Sequence, residues 1–445
     1  MIPVLTGEEM KAVDQAASEP VDVLVQRAGA AVARAALAIL GGSYGRRVVV
    51  VAGKGNNGAD GRAAAVLLER RGVRVTVVDA AAGLKVLPPA DLVVDAAYGT
   101  GFRGAYEPPD PGSAPVLAVD VPSGAQLRAD TTVTFAALKP VLLLGDGPDR
   151  AGAVKVADIG LDVRSARMFL VEDADVAGRL RPRPRNAHKW QSAVYVAAGS
   201  PGMQGAPMLV ARAAMRAGAG YVRLGVPGGD PGQAPPSEVV ALPLPSVGWD
   251  VAVRPELERC RALVVGPGLG RSDDTTAAVR ALVATAPVPA VVDADGLNAL
   301  GGPSEVAGVV SRRHAATILT PHEGEFARLA GQPVGDDRVE DVRRLAARTG
   351  AIVLLKGSTT VVASPGGEVL FAMAGSPRLA TAGTGDVLAG VVGAFLAQGL
   401  SPFLAAALAA HAHGRAAGLG YRHGLVAGDL PDLIARWLSQ ERPGG

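Results

Sequence analysis

The chain has 445 residues, 49% of them hydrophobic and 19% charged, with a formal net charge of +2 at pH 7. At ~100–200 residues per domain this predicts two or three domains with sizeable cores. It excludes a largely disordered chain and, by the near-neutral balance, a dedicated nucleic-acid binder.

A single cysteine, Cys260, excludes an intrachain disulfide and fits a reducing compartment. Glu8 and Glu9 stand where a signal peptide would need an apolar core. The most apolar stretch, Val387–Ala410, is split by Gln398, Gly399, Ser401 and Pro402, so it reads as two buried helices and not as a membrane span. A cytoplasmic chain with no membrane or nucleic-acid partner is expected; homo-oligomer and monomer are both left open.

Leu5–Leu40 places apolar residues at helical spacing (Val25, Ala28, Val32, Ala36). Arg47–Ala52 is a short β-branched run, hence a buried parallel strand. A glycine-rich turn, a helix to Arg71 and a strand at Val73–Val78 follow. Further strands are predicted at Leu92–Asp95, Val116–Asp120, Thr131–Phe135 and Val141–Leu144. The alternation predicts βαβ units around a mainly parallel sheet. It breaks between Ile159 and Val176, and the run R-P-R-P-R at Arg181–Arg185 reads as a solvated, semi-rigid linker. A second series runs through Ala193–Ala198, Leu263–Val265, Ala290–Asp293, Thr317–Leu319 and Ile352–Leu355, and the chain is helical from Gly383 onward. His411 and His413, two apart on a helix, face apart and make no metal pair.

Chemistry-bearing residues collect at predicted strand ends, where parallel sheets bind ligands. In the first domain G-K-G-N-N-G-A-D-G (Gly53–Gly61) opens a helix whose free amides favour phosphate. A tight strand-to-helix turn also explains that pattern, but Asp95-Ala-Ala-Tyr-Gly-Thr-Gly101 and Asp120-Val-Pro-Ser-Gly124 put two more polar strand ends at the same crevice.

In the second domain Ala382-Gly-Thr-Gly-Asp-Val-Leu-Ala-Gly390 opens a long apolar helix. The amides of Gly383, Thr384 and Gly385 form an oxyanion hole at the positive end of its dipole. Asp386 is placed to take a proton from an attacking hydroxyl; a plain helix cap is the alternative role. Gly266-Pro-Gly-Leu-Gly270, Asp293-Ala-Asp-Gly-Leu-Asn298, Thr320-Pro-His-Glu-Gly-Glu325 and Lys356-Gly-Ser-Thr-Thr360 supply supporting strand ends, the two carboxylates Asp293 and Asp295 suiting Mg2+.

The first domain resembles NAD(P)H-hydrate epimerases, through N-N-G-x-D, D-x-x-x-G-T-G and D-x-P-S-G. The resemblance implies substrate contacts at Asn56, Asn57, Gly58, Ala59 and Asp60. It implies others at Gly99, Thr100, Gly101, Phe102, Arg103, Gly104, Ala105 and Asp120, with Asp120 the proton-transfer group. It implies K+ ligands Asn57, Asp95 and Ser123. Ala59 replaces the family's usual glycine, which would cost ~1–2 kcal/mol if that position needed positive φ. The stretch from Ser123 to Thr131 is several residues short, and Gln26 stands where an acidic residue is common.

The second domain resembles the ADP- or ATP-dependent NAD(P)H-hydrate dehydratases of the ribokinase-like superfamily, through Gly199-Ser200, Arg216–Gly220, G-P-G-L-G, D-A-D-G-L-N, T-P-H-x-x-E, K-G-x-x-T and G-T-G-D. His188-Lys189-Trp190-Gln191 departs from the family's usual small or acidic residues after the lysine. The resemblance implies hydrate contacts at Ala219, Gly270, His322 and Asp386. It implies nucleotide contacts at Lys356, Gly357, Ser358, Thr359, Thr360 and Gly385, with Gly383 and Thr384 completing the anion hole. The implied fold class is α/β. Two three-layer αβα domains are expected over 1–170 and 171–445, Rossmann-like and ribokinase-like. The implied ligands are hydrated NADH or NADPH, ADP (or ATP), Mg2+ and K+. A ribokinase-like kinase for a vitamin precursor, its first domain inactive, and a nucleotide-sensing scaffold are the rival readings.

Overall fold

Runs of β-branched residues become the central strands of two sheets, because only burial on both faces removes such runs from water. The computed structural model describes residues 1–102, 104–229 and 238–440, so Arg103 lies outside the described residues. The chain divides into units Ile2–Arg167 and Met168–Gly445.

The first unit's sheet is parallel, in the order Arg74–Asp79, Arg47–Ala52, Leu92–Ala96, Val116–Val119, Thr131–Phe135, Ala153–Ala157. Helices Val21–Leu40 and Asn56–Glu69 lie together on one face. Their contact is made by small residues: a Cβ on Gly29 would come within 2.5 Å of the Ala63 Cβ. Helix Val21–Leu40 is long and apolar enough to cross a membrane, yet Leu24, Ala28, Val32 and Ala36 are buried in this unit. On the opposite face Val49, Val51 and Val93 pack beneath Leu87, Leu127 and Ala129.

Val141–Leu144 is not a strand. Pro140 occupies the first turn of a short helix, Pro140–Leu143, for which its fixed φ is suited. The strand beyond Thr131–Phe135 is instead Ala153–Ala157, a half-exposed edge strand whose Lys155 broke the apolar signal.

In the second unit the strand order is Met168–Leu170, Val369–Ala372, Thr360–Ala363, Ile352–Leu355, Thr317–Leu319, Ala290–Val292, Ala262–Val265, Ala193–Ala197, Tyr221–Pro227, Val240–Leu244. Thr360–Ala363 pairs antiparallel with both neighbours, and the remaining pairs are parallel. Val387–Ala410 falls in two helices, Thr384–Ala397 and Pro402–Gly418.

Gly390 brings helix Thr384–Ala397 against Gly205–Arg216: a Cβ there would meet Val210 O at 2.3 Å. Because that neighbour is backbone, Gly390→Ala is expected to destabilise this unit by ~1–3 kcal/mol, read as a lower denaturant midpoint.

Candidate active sites

In the second unit, the parallel strands Ala193–Ala197, Ala262–Val265, Ala290–Val292, Thr317–Leu319 and Ile352–Leu355 bring Gly199, Gly266, Asp293, Thr320 and Lys356 to one sheet edge. Helix Thr384–Ala397 starts there. Gly383 caps it with φ +87°, the left-handed region that favours glycine. The Thr384 hydroxyl turns back to Leu379 O (2.8 Å) and Thr381 O (3.1 Å), bracing the loop and leaving the backbone amides for a ligand.

Gly385 is packed close to the charged groups: a Cβ on it would lie 3.4 Å from Lys356 Nζ and 3.8 Å from Asp293 Oδ2. Lys356 Nζ donates to Asp293 Oδ1 at 2.9 Å and lies 3.7 Å from Glu325 Oε2. Burial opposes the Lys356 charge, but Asp293 and Glu325 outweigh it and its pKa is raised. Asp386, in the helix's first turn, is pushed up to about 6, first by burial and then by Asp293, with Lys356 opposing and Asp295 and Glu325 adding to the rise. Gly383, Gly385 and Asp386 remain partly exposed, so the helix tip is open to solvent.

Asp295 accepts from Gly270 N (3.0 Å) and from Arg271 Nε (3.2 Å). Ala294 between the two aspartates has φ +51°, a conformation costing of order 1–3 kcal/mol and typical of functional sites. Gly357 and Ser358 are exposed, Thr359 is buried, and Thr360 begins a strand; Arg338 Nη2 donates to Lys356 O at 2.8 Å.

His322 caps helix Glu323–Ala330: its Nδ1 accepts from Gly324 N (3.0 Å) and Glu325 N (3.3 Å), and its Nε2 lies 3.6 Å from Glu325 Oε1. Ala219 is not brought to this edge. It precedes strand Tyr221–Pro227 and therefore sits, buried, at the opposite edge of the sheet, away from Gly270, His322 and Asp386. The small residue that does approach the glycine loops is Ala206, whose Cβ lies 3.2 Å from the place of a Gly268 Cβ.

In the first unit a cavity of about 490 Å³ brings together Asn56, Asn57, Asp60, Gly99, Asp120 and Lys139. A second, of about 470 Å³, shares Tyr98, Gly99, Thr100, Phe102 and Lys139 with it and also contains Ser123 and Arg150. Gly101 lines the first cavity only; Gly104 and Ala105 line neither.

The glycines of the N-N-G loop are required by close approach: a Cβ on Gly53 would lie 1.9 Å from Ala97 O, and on Gly58 1.9 Å from Gly53 O. Ala59 lies inside helix Asn56–Glu69 with no positive φ, so the strain considered for it is absent. Arg150 reaches Pro122 O, Gly124 O and Leu127 O, fastening the short segment after Ser123.

Asp120 has φ +66°. Its Oδ1 lies 2.6 Å from Lys139 Nζ and accepts from Thr134 Oγ1 at 3.1 Å; Lys139 also donates to Thr134 Oγ1 at 2.7 Å. Burial, then Asp120 and then Asp14 push Asp60 up to about 8. Asp95 is buried and pushed up to about 6 by desolvation, although Ser123 N donates to it at 2.7 Å. Ser123 Oγ donates to Tyr98 O at 3.0 Å. The Asn57 amide is buried with neither Nδ2 nor Oδ1 partnered.

Lys139, Asp14 and Arg150 were not singled out from the sequence. Lys139 carried one usable signal, its place immediately before a proline that starts a helix.

Parallel α/β architecture with a glycine-capped helix opening on a lysine–carboxylate cluster defines a ribokinase-like protein. It is similar to a ribokinase-like superfamily protein from Enterococcus faecalis V583 (21% identity, TM-score 0.55, 62% of this chain and 98% of that one). It is also similar to an ADP/ATP-dependent NAD(P)H-hydrate dehydratase from Bacillus subtilis, co-crystallised with ATP and Mg2+ (29% identity, TM-score 0.51, 61% and 98%). The NAD(P)H-hydrate dehydratase family matches residues 194–439, and the family described as YjeF-related protein N-terminus matches residues 21–87. A bifunctional NAD(P)H-hydrate repair enzyme of Salinibacter ruber is 38% identical over 99% of this chain and 97% of its own length. The chain belongs to the family of bifunctional NAD(P)H-hydrate repair enzymes.

Proposed function

We propose that the chain repairs hydrated NADH and NADPH, with ADP-dependent dehydration of the S-epimer in the second unit and epimerisation in the first. The observation that carries the reading is the open helix tip at Gly383–Gly385, with Asp386 beside it and Lys356 braced against Asp293.

Hydroxide is a poor leaving group at neutral pH, so the hydroxyl must first become a phosphate ester. Asp386 accepts the hydroxyl proton as its oxygen attacks the terminal phosphorus of ADP, and AMP departs. The amides of Gly383–Gly385 and Lys356 meet the charge developing on the transferring group. The ring nitrogen's electron pair then expels phosphate, and loss of a proton from the neighbouring ring carbon restores the dihydronicotinamide. The donor set fits Mg2+: Asp293 and Asp295 are hard oxygen ligands at the helix tip, and the ion would neutralise phosphate charge. Lys356–Thr360 are assigned to the nucleotide. Gly270 and the exposed ring of His322 are assigned to the hydrate, to which Ala206 is a better-placed neighbour than Ala219.

In the first unit Asp120 moves a proton as the hydroxyl leaves and water returns to the other face, while Asn56–Asp60 and Gly99–Gly101 bind the hydrate. The unpartnered buried amide of Asn57, with Asp95 and Ser123 behind Tyr98, fits an oxygen-coordinated cation such as K+. Exchanging potassium for lithium is expected to slow epimerisation several-fold and leave dehydration unchanged, as stopped-time chromatography of the two epimers would measure.

The discriminating assay offers each epimer of hydrated NADH separately with ADP. The S-epimer is expected to return NADH with one AMP and one phosphate per turnover, and the R-epimer to do so only at the pace of epimerisation. A stable phosphorylated product would make this a kinase instead.

A further inference from the structure

A cavity of about 690 Å³ lies at the opposite edge of the second unit's sheet from the helix tip. Ser192 and Gly220, which precede strands Ala193–Ala197 and Tyr221–Pro227, line it and fix its place. Its titratable lining side chains are Arg179, Arg181, Arg183, His188 and Lys189, and no carboxylate lines it among the described residues. Arg179 is offset by Asp175 at 3.1 Å. Arg183 Nη2 donates only to carbonyls, Gly218 O and Ala219 O, each at 3.0 Å. Lys189 lies over the rings of Tyr221 (5.0 Å) and Trp190 (5.8 Å). Arg181, Arg183 and Lys189 thus carry charge without a carboxylate partner among the described residues.

Helix Pro402–Gly418 begins at the same cavity. Leu400, Ser401 and Leu404 line it, and Ser401 makes no side-chain cap. Its first-turn amides and the positive end of its dipole add to the cationic lining. At the neighbouring helix end two carbonyls are already occupied, Leu396 O by Gly399 N (2.9 Å) and Phe395 O by Leu400 N (3.2 Å). Pro182 and Pro184 fix the backbone of the arginine run, so little ordering cost falls on binding.

We propose that this cavity binds a small molecule carrying two or more linked phosphates. Its volume lies within the ~300–1,000 Å³ of ligand pockets, and three uncompensated cations match the two to three charges of such a group. The segment Arg181–Arg185, read from sequence as a solvated linker, becomes one wall of a site. The inference does not depend on the reaction proposed above.

Hydrogen exchange of the full wild-type chain with inorganic pyrophosphate provides the test. Protection is expected in residues 181–192 and 399–405. Protection confined to 199–205, 266–270 and 383–386, or none at all, would overturn the proposal. In calorimetry, Arg181→Gln with Lys189→Gln should weaken pyrophosphate binding ~10-fold or more, with Arg181→Lys retaining most of it and ADP-dependent turnover unchanged. Undiminished binding by the double variant would also overturn it. So would a short RNA oligonucleotide that binds more tightly than pyrophosphate, since the surface would then be a nucleic-acid contact.

Discussion

Asp386→Asn is expected to lower the dehydration rate by roughly 10²–10⁴-fold while making the second unit more stable at neutral pH. Both effects come from one cause. Burial and the neighbouring carboxylates hold Asp386 at about 6, above the ~3.9 of an unfolded chain. The native state therefore binds this proton more tightly than the unfolded state does. The associated stability is fully present below the unfolded value and is lost as pH rises through about 6. At pH 7 the ionised carboxylate is a liability to the fold.

Two pH units correspond to about 3 kcal/mol, and partial exposure reduces this to roughly 1–2 kcal/mol. Asparagine keeps the shape and removes the charge, so the variant should unfold at a higher denaturant midpoint. As a proton acceptor Asp386 must be ionised, so wild-type kcat/KM should fall about tenfold per pH unit below about 6, with ADP affinity little changed. A residue that merely capped the helix would lower stability on substitution and leave that acid limb in place. Wild-type turnover by Asp386→Asn would refute the assignment.

Glycine-rich strand ends were the most legible part of the sequence, because the backbone there has physical requirements that no other residue meets. Gly383 needs its left-handed φ, and Gly53 and Gly58 have no room for a Cβ. Long apolar runs such as Ala193–Ala197 and Ile352–Leu355 were equally readable, being buried on both faces. What failed was local and ambiguous. Val141–Leu144 has β-strand composition, but Pro140 suits a helix start, and the polar Lys155 hid a true edge strand. Lys139 was missed because its function lies in a tertiary contact with Asp120, which periodicity cannot encode. The position of Ala219 failed differently: a motif match carries no information about which edge of the sheet a residue sits at, and here Ala219 precedes a strand that starts at the edge opposite the helix tip.

In the first unit, Asp60→Asn is expected to slow epimerisation by roughly 10²–10⁴-fold without weakening the fold. Expelling hydroxide from the hydrate needs a proton donor, and returning water to the other face needs an acceptor. Three carboxyl groups line the cavity, Asp14, Asp60 and Asp120, and their surroundings differ. Asp120 is paired with Lys139 at 2.6 Å. Asp60 is held at about 8 by burial and by Asp120 and Asp14, so at pH 7 it is mostly the protonated acid. A carboxyl group kept protonated in this way suits the part of the acid.

Asp120→Asn should abolish epimerisation as well, and asparagine adopts the φ of +66° at less cost than alanine. It leaves Lys139, whose side chain is 3% exposed, without its counter-ion. That loss costs ~3–5 kcal/mol and confounds the reading. Asp60→Asn avoids this, since a neutral amide replaces a group that is already largely neutral at pH 7. The wild-type rate should fall on the alkaline side of about 8, where Asp60 loses its proton, and that limb should vanish in the variant. A variant with unchanged epimerisation, or with the alkaline limb intact, would return Asp60 to a binding role and leave Asp120 and Lys139 as the proton-handling pair.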